Sequence, residues 1–153
     1  MKIILDTNVL INGVQDENSH TYKIISACIS GDIQAYASKK TQNEYYLLGE
    51  RMIKDQEYLN ILDDFYETLK VVKPKNQNHI IDDDHEDDKF LDVAEECQAD
   101  YIVSADHHLL DLELFDDTKI VGPTDFWHIY RESENDDEGE SDWKDWASSI
   151  GIG

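Results

Sequence analysis

Short apolar runs that stop at a polar residue recur along the chain, each separated from the next by an amphipathic helical stretch. This alternation is the strongest constraint on the fold. Lys2–Asp6 holds the β-branched Ile3 and Ile4 and ends in a carboxylate, the pattern of a buried strand. Further strands are expected at Gln34–Ala37, Leu69–Val72, Tyr101–Val103 and Lys119–Val121. Helices are expected between them. Thr7 opens a short one that ends near Asn12-Gly13, and Ser19–Ile29 forms the next, with Tyr22, Ile25 and Ile29 inward. Ser38 caps a helix to about Ile53 with Tyr45, Leu48 and Met52 inward, and Asp55 caps one carrying Tyr58, Leu62, Phe65 and Leu69. Asp87–Cys97 turns Phe90, Leu91, Ala94 and Cys97 inward, and His107–Leu112 is a short helix. Thr124 or Asp125 caps a last helix through Tyr130. Strands alternating with helices argue for an α/β fold: three layers, α/β/α, around a mainly parallel five-stranded sheet.

Two segments fall outside this pattern. Asn76–Asp84 reads as a polar loop, and the acids from Asp82 to Asp88 read as its solvated continuation. From Arg131 the composition changes, and Ser133–Asp142 has no apolar residue, too little to offset its ordering entropy. The expected organisation is one domain at 1–131 and an acidic, disordered tail at 132–153. Trp143 and Trp146 in that tail fit either a solubilising terminus or a tethered docking peptide.

Charge bears on partners. The chain carries 35 acidic and 13 basic side chains, a formal net of −22. Residues 1–80 hold 11 acidic and 9 basic groups, so the excess belongs to the second half. A protein that grips nucleic acid through its overall field is excluded, and so is one that binds anionic membranes. The N-terminal apolar run is too short for a signal peptide and no stretch is long enough to span a bilayer. Cys28 and Cys97 lie in apolar helical patterns, as expected for reduced, buried thiols in a cytoplasmic protein.

In a parallel α/β sheet, ligands bind beyond the carboxyl ends of the strands. Asp6 ends the first strand, Asp106 follows the fourth, Asp87 and Asp88 open the helix before the fourth, and Glu44 lies six residues past Ser38. Carboxylates drawn to one point raise one another's pKa unless a cation intervenes. A hard divalent ion such as Mg²⁺ removes that penalty, takes oxygen ligands and is commonly shared with phosphate. Phosphodiester hydrolysis is the chemistry such a cluster supports. A haloacid-dehalogenase phosphatase would need a second acid where Asn8 stands, and His79, His85, His107 and His108 show no His-x₃-His spacing for a transition metal.

These residues, in this order, resemble the PIN-domain family. The resemblance rests on Ile3-Ile4-Leu5-Asp6-Thr7-Asn8-Val9-Leu10-Ile11, on Ser38 with Glu44, on Asp88-Lys89-Phe90-Leu91, and on Ala99-Asp100-Tyr101-Ile102-Val103-Ser104-Ala105-Asp106. The 18-residue separation of Asp88 and Asp106 is similar to that in VapC-type toxins. The resemblance covers about residues 1–130. It implies Asp6, Glu44, Asp88 and Asp106 as ligands of Mg²⁺ or Mn²⁺, with Asn8 and Ser104 as polar supports. It implies an endoribonuclease leaving 5′-phosphate and 3′-hydroxyl ends, commonly the toxin of a toxin–antitoxin pair, neutralised by an antitoxin and often homodimeric. A catalytically weak PIN-fold protein that acts by binding a protein partner is the alternative. Two features depart from the family pattern. His107 and His108 stand where members often carry a further acid or base. The local basic cluster is confined to Lys39, Lys40, Arg51 and Lys54, with Lys89 expected to be a solvated helix residue. An acidic tail would compete with RNA for that cluster. Truncation after Arg131 is therefore expected to raise RNA affinity, measured by titration, with the gain shrinking as salt rises.

Overall fold

The computed structural model describes residues 1–13, 19–77 and 87–135. The parts of the polar loop, acidic run and tail that fall between or beyond these ranges, with His79, His85, Trp143 and Trp146, lie outside the described residues. In chain order the elements are β1 (Lys2–Leu5), α1 (Thr7–Asn12), α2 (His20–Ile29), β2 (Gln34–Ser38), α3 (Lys39–Met52), α4 (Gln56–Thr68), β3 (Lys70–Val72), α5 (Asp88–Cys97), β4 (Tyr101–Val103), α6 (His107–Leu110), β5 (Leu114–Phe115) and β6 (Thr118–Val121). A helix at 123–135, α7, follows.

The strands form one sheet in the order β3-β2-β1-β4-β6-β5, parallel except for the β5–β6 pair. The sheet is thus mainly parallel, as expected, but has six strands rather than five. The additional strand is the two-residue β5. It turns back on β6 through Asp116-Asp117, with Asp116 at a φ of 50°. Two residues carry no periodicity, which is why the sequence hid it.

From β1 the strand order runs outward one way through β2 and β3, then the chain crosses back to place β4 on the other side of β1. Right-handed crossovers therefore put α1–α4 on one face and α5 on the other. Both faces of the central strand are covered, so Ile3, Ile4 and Leu5 are consecutively buried. Cys28 and Cys97 are buried free thiols, and burial pushes them up to about 12 and about 11.

Caps fix the helix starts. The Ser19, Ser38 and Asp55 side chains accept from the amides of Tyr22, Thr41 and Tyr58, as their sequence positions imply. Three expectations need correction. On α2 the inward stripe is Ile24, Ile25, Ala27 and Cys28, and Ile29 is exposed. On α3 it is Thr41, Tyr45 and Gly49; Leu48 packs at the margin and Met52 is exposed. The cause is Tyr45, whose hydroxyl donates to the Leu5 carbonyl and so sets the roll of the helix. The last helix starts one residue before Thr124: Pro123 is its first residue and the Gly122 carbonyl accepts from Phe126. It continues past Tyr130 through Ser133 to Asn135, with the Tyr130 hydroxyl and Arg131 both holding Glu134. Removing the tail without cutting this helix requires a cut after Asn135.

Gly13, which closes α1, is required by close approach rather than by its dihedrals. A Cβ there would lie 2.5 Å from the Tyr58 hydroxyl and 2.7 Å from Thr21 Cγ2. That hydroxyl donates to the Leu10 carbonyl, tying α4 to α1. Gly13→Ala should cost about 1–3 kcal/mol in urea unfolding, as overpacking does. Combined with Tyr58→Phe, which removes the obstructing oxygen, the cost should be less than additive. Full additivity would show that the two groups do not meet.

Candidate active site

The β1–β4 register builds the centre of the site. Leu5 pairs with Val103, and the next amide, Asp6, donates to the Val103 carbonyl at 2.9 Å. Asp6 and Ser104 therefore leave the sheet side by side. Ser104 Oγ donates to Asp6 Oδ2 at 2.8 Å and accepts from the Asp106 amide at 3.0 Å. Ser104 is wholly buried and Asp6 is 3% exposed. The location is the carboxyl edge of the sheet where strand order reverses, the crevice in which α/β proteins bind ligands.

Asp6 carries an electrostatic burden. Desolvation raises its pKa; hydrogen bonds from Ser104 and the Asn8 amide pull it down without cancelling that, and the charges of Asp106 and Glu44 raise it further. The Glu44 and Asp106 carboxylates are thus each close enough to act on Asp6. The support from Asn8 comes from its backbone amide, and the residue itself is exposed.

Glu44 reaches the crevice because Ser38 ends β2 and starts α3 in a capping box, setting the phase of the helix. Both of its oxygens are engaged. Thr7 Oγ1 donates to Oε2, and Lys89 Nζ lies 2.6 Å from Oε1. Lys89 is 5% exposed, so the expectation of a solvated side chain is corrected: it is a buried ammonium paired with Glu44. A buried cation requires a partner, and Glu44 supplies it.

Asp88, the first residue of α5, is also 3% exposed. The Lys89–Glu44 pair shows that this helix start meets α3 at the site. Asp87, just before it, is buried and hydrogen-bonds with Asp106. Partial desolvation works against the Asp106 carboxylate. The Asp87 hydrogen bond, the His108 amide and the imidazoles of His108 and His107 outweigh it and hold Asp106 below its ordinary value. His108 Nδ1 lies 3.5 Å from Asp106 Oδ1. Ligand atoms of Asp87, Asp106 and His108 all fall within 4.8 Å of one another, a spacing that could hold a metal ion. Sequence reasoning did not single out Asp87 over Asp88, since neighbouring acids at a helix start look alike until the helix is docked.

The donor set fits a hard divalent cation. It is dominated by carboxylate oxygen and partly desolvated, and Asp6 stays buried within the field of two further carboxylates, a cost that a cation relieves.

The chain is 29% identical over 118 residues to the uncharacterized protein MJ1680 of Methanocaldococcus jannaschii, covering 73% of this chain and 75% of that one. It superposes with a TM-score of 0.54 and 12% identity on a chain of the crystal structure of VapBC2 from Rickettsia felis bound to a DNA fragment from their promoter. That match covers 78% of this chain and 97% of the other, and it supports the fold. Residues 2–108, which run from β1 to the histidines after Asp106, match the PIN domain family model, and the chain belongs to the PIN-domain family.

Proposed function

We propose that the protein is a Mg²⁺- or Mn²⁺-dependent endoribonuclease that acts as the toxin of a toxin–antitoxin pair. PIN domains are generally nucleases, and one observation carries the reading to this chain: Asp6 is buried at the carboxyl edge of β1 and β4, held by Ser104 and within the field of the Asp106 and Glu44 carboxylates. In this reading Asp6, Glu44, Asp88 and Asp106 hold the ion, directly or through water, and Asp87 and His108 stand within reach of the same place. The bound ion supplies a lowered pKa for water and charge neutralisation on the phosphodiester. The chain's own residues orient the parts. Ser104 fixes the Asp6 carboxylate, and Thr7 with Lys89 fixes Glu44. The VapBC2 likeness makes an antitoxin the proposed protein partner, and a second copy of the chain is a further one.

Cleavage of a single-stranded RNA with Mn²⁺ or Mg²⁺ tests the function. Asp6→Asn, Asp88→Asn and Asp106→Asn should each lower kcat about 100-fold or more. Cleavage that survives both Asp6→Asn and Asp88→Asn would remove the assignment. Asp87→Asn beside Asp88→Asn shows which acid of the helix start is the stronger contributor.

Stability gives an independent readout. A carboxyl with a higher pKa folded than unfolded costs stability as pH rises past its unfolded value, because the folded chain then holds the extra proton. Asp6 is such a group. With EDTA present, Asp6→Asn should melt higher than the parent at pH 7, and the difference should vanish below the ordinary aspartate range. Saturating Mn²⁺ should reverse the order, since it binds the folded parent. A variant that melts lower than the parent in EDTA at pH 7 would show that Asp6 carries no such penalty.

A further inference from the structure

A groove of about 500 Å³ opens beside the carboxylates, at the ends of β2 and β3. Its rim carries Lys39 and Lys40, which open α3, and Lys73, which follows β3. Its floor is apolar, from Val71, Val72 and Pro74, and Val71 is half exposed. Asp92 is the one acid among the lining residues. In a chain of net charge −22, lysines from two separate elements gathered around one concavity form a local reversal of sign. The cluster read along the sequence divides here: Lys39 and Lys40 reach the groove, whereas Arg51 and Lys54 lie at the far end of α3 and are exposed.

The groove is continuous with the carboxylate site. Lys89 lines it and also pairs with Glu44, while Lys40, Glu44 and Lys89 line the smaller depression next to it. We propose that this groove is the track for single-stranded RNA, with Lys39, Lys40 and Lys73 on phosphates and a base seated on the Val71–Pro74 floor, delivering the adjoining phosphodiester to the carboxylates. A positive rim around an apolar platform is how single strands are held without reading their sequence. This inference rests on the ribonuclease reading and adds where the substrate lies.

The test compares three proteins: the parent, Lys39→Gln/Lys40→Gln/Lys73→Gln, and a control that loses the same charge elsewhere, Arg51→Gln/Lys54→Gln/Lys119→Gln. Binding of a fluorescent 12-nucleotide RNA is followed by anisotropy in EDTA, KM for the same strand is measured with Mn²⁺, and Mn²⁺ binding is measured by calorimetry. The groove variant should weaken RNA binding and raise KM about tenfold at low salt, and its slope of log affinity against log salt should fall by roughly 2. The control should match the parent, and Mn²⁺ binding should be equal in all three. Equal loss in both variants, or an unchanged KM and salt slope in the groove variant while the parent cleaves, overturns the groove and leaves the ribonuclease reading standing. A parent that neither binds nor cleaves RNA overturns both. A poly-glutamate peptide that binds the parent more tightly than RNA does, and is released by the groove substitutions, overturns the RNA track in favour of an acidic protein partner.

Discussion

Burial of the Asp6 carboxylate is the constraint around which this site is arranged. Asp6 cannot leave the crevice, because its backbone is locked to β4 by the Val103 carbonyl. The surroundings therefore accommodate its charge with what a folded chain can offer: one hydroxyl from Ser104 and one amide from Asn8. Neither cancels the cost of burial. The fold holds this unfavourable group in place with the strongest assets it has, the fully buried central strand and the tyrosine hydroxyls that tie α3 to β1 and α4 to α1. A site that destabilises its own scaffold is the usual mark of selection for chemistry rather than for stability.

Glu44 shows a different solution within the same crevice. Its charge is balanced internally, by the Lys89 ammonium, and directed by the Thr7 hydroxyl. Asp106 is served by a third route, through hydrogen bonds with Asp87 and the His108 amide and through the two imidazoles. The three acids are therefore held by different partners. They are not equivalent members of a ring, although the sequence presents them as a set.

The architecture was legible because its signals are periodic or capped. Ile3-Ile4-Leu5 could only be a buried strand, and Ser19, Ser38 and Asp55 announced their helices. The strand ends located Asp6 and Asp106 for the same reason. What stayed hidden depends on docking. Lys89 looks like any surface lysine until α5 lies against α3. Asp87 and Asp88 are distinguishable only once the helix start has a direction. Lys73 is 34 residues from Lys39 and joins it only because β3 pairs with β2 in register, Ser38 beside Val72. The roll of α3 was misread because Tyr45 spends its hydroxyl on β1, and that contact outweighs the burial of Met52.

The long last helix has a consequence for whatever follows it. α7 begins where β6 delivers it, at the crevice edge, with Thr124 touching His20. It then descends for thirteen residues, about 20 Å, to Glu134, which lines a depression with Ser30 and Asp32 just ahead of β2. The chain after Asn135 thus departs from the opposite pole of the sheet. Any approach to the carboxylates from beyond the helix has to cover that length first.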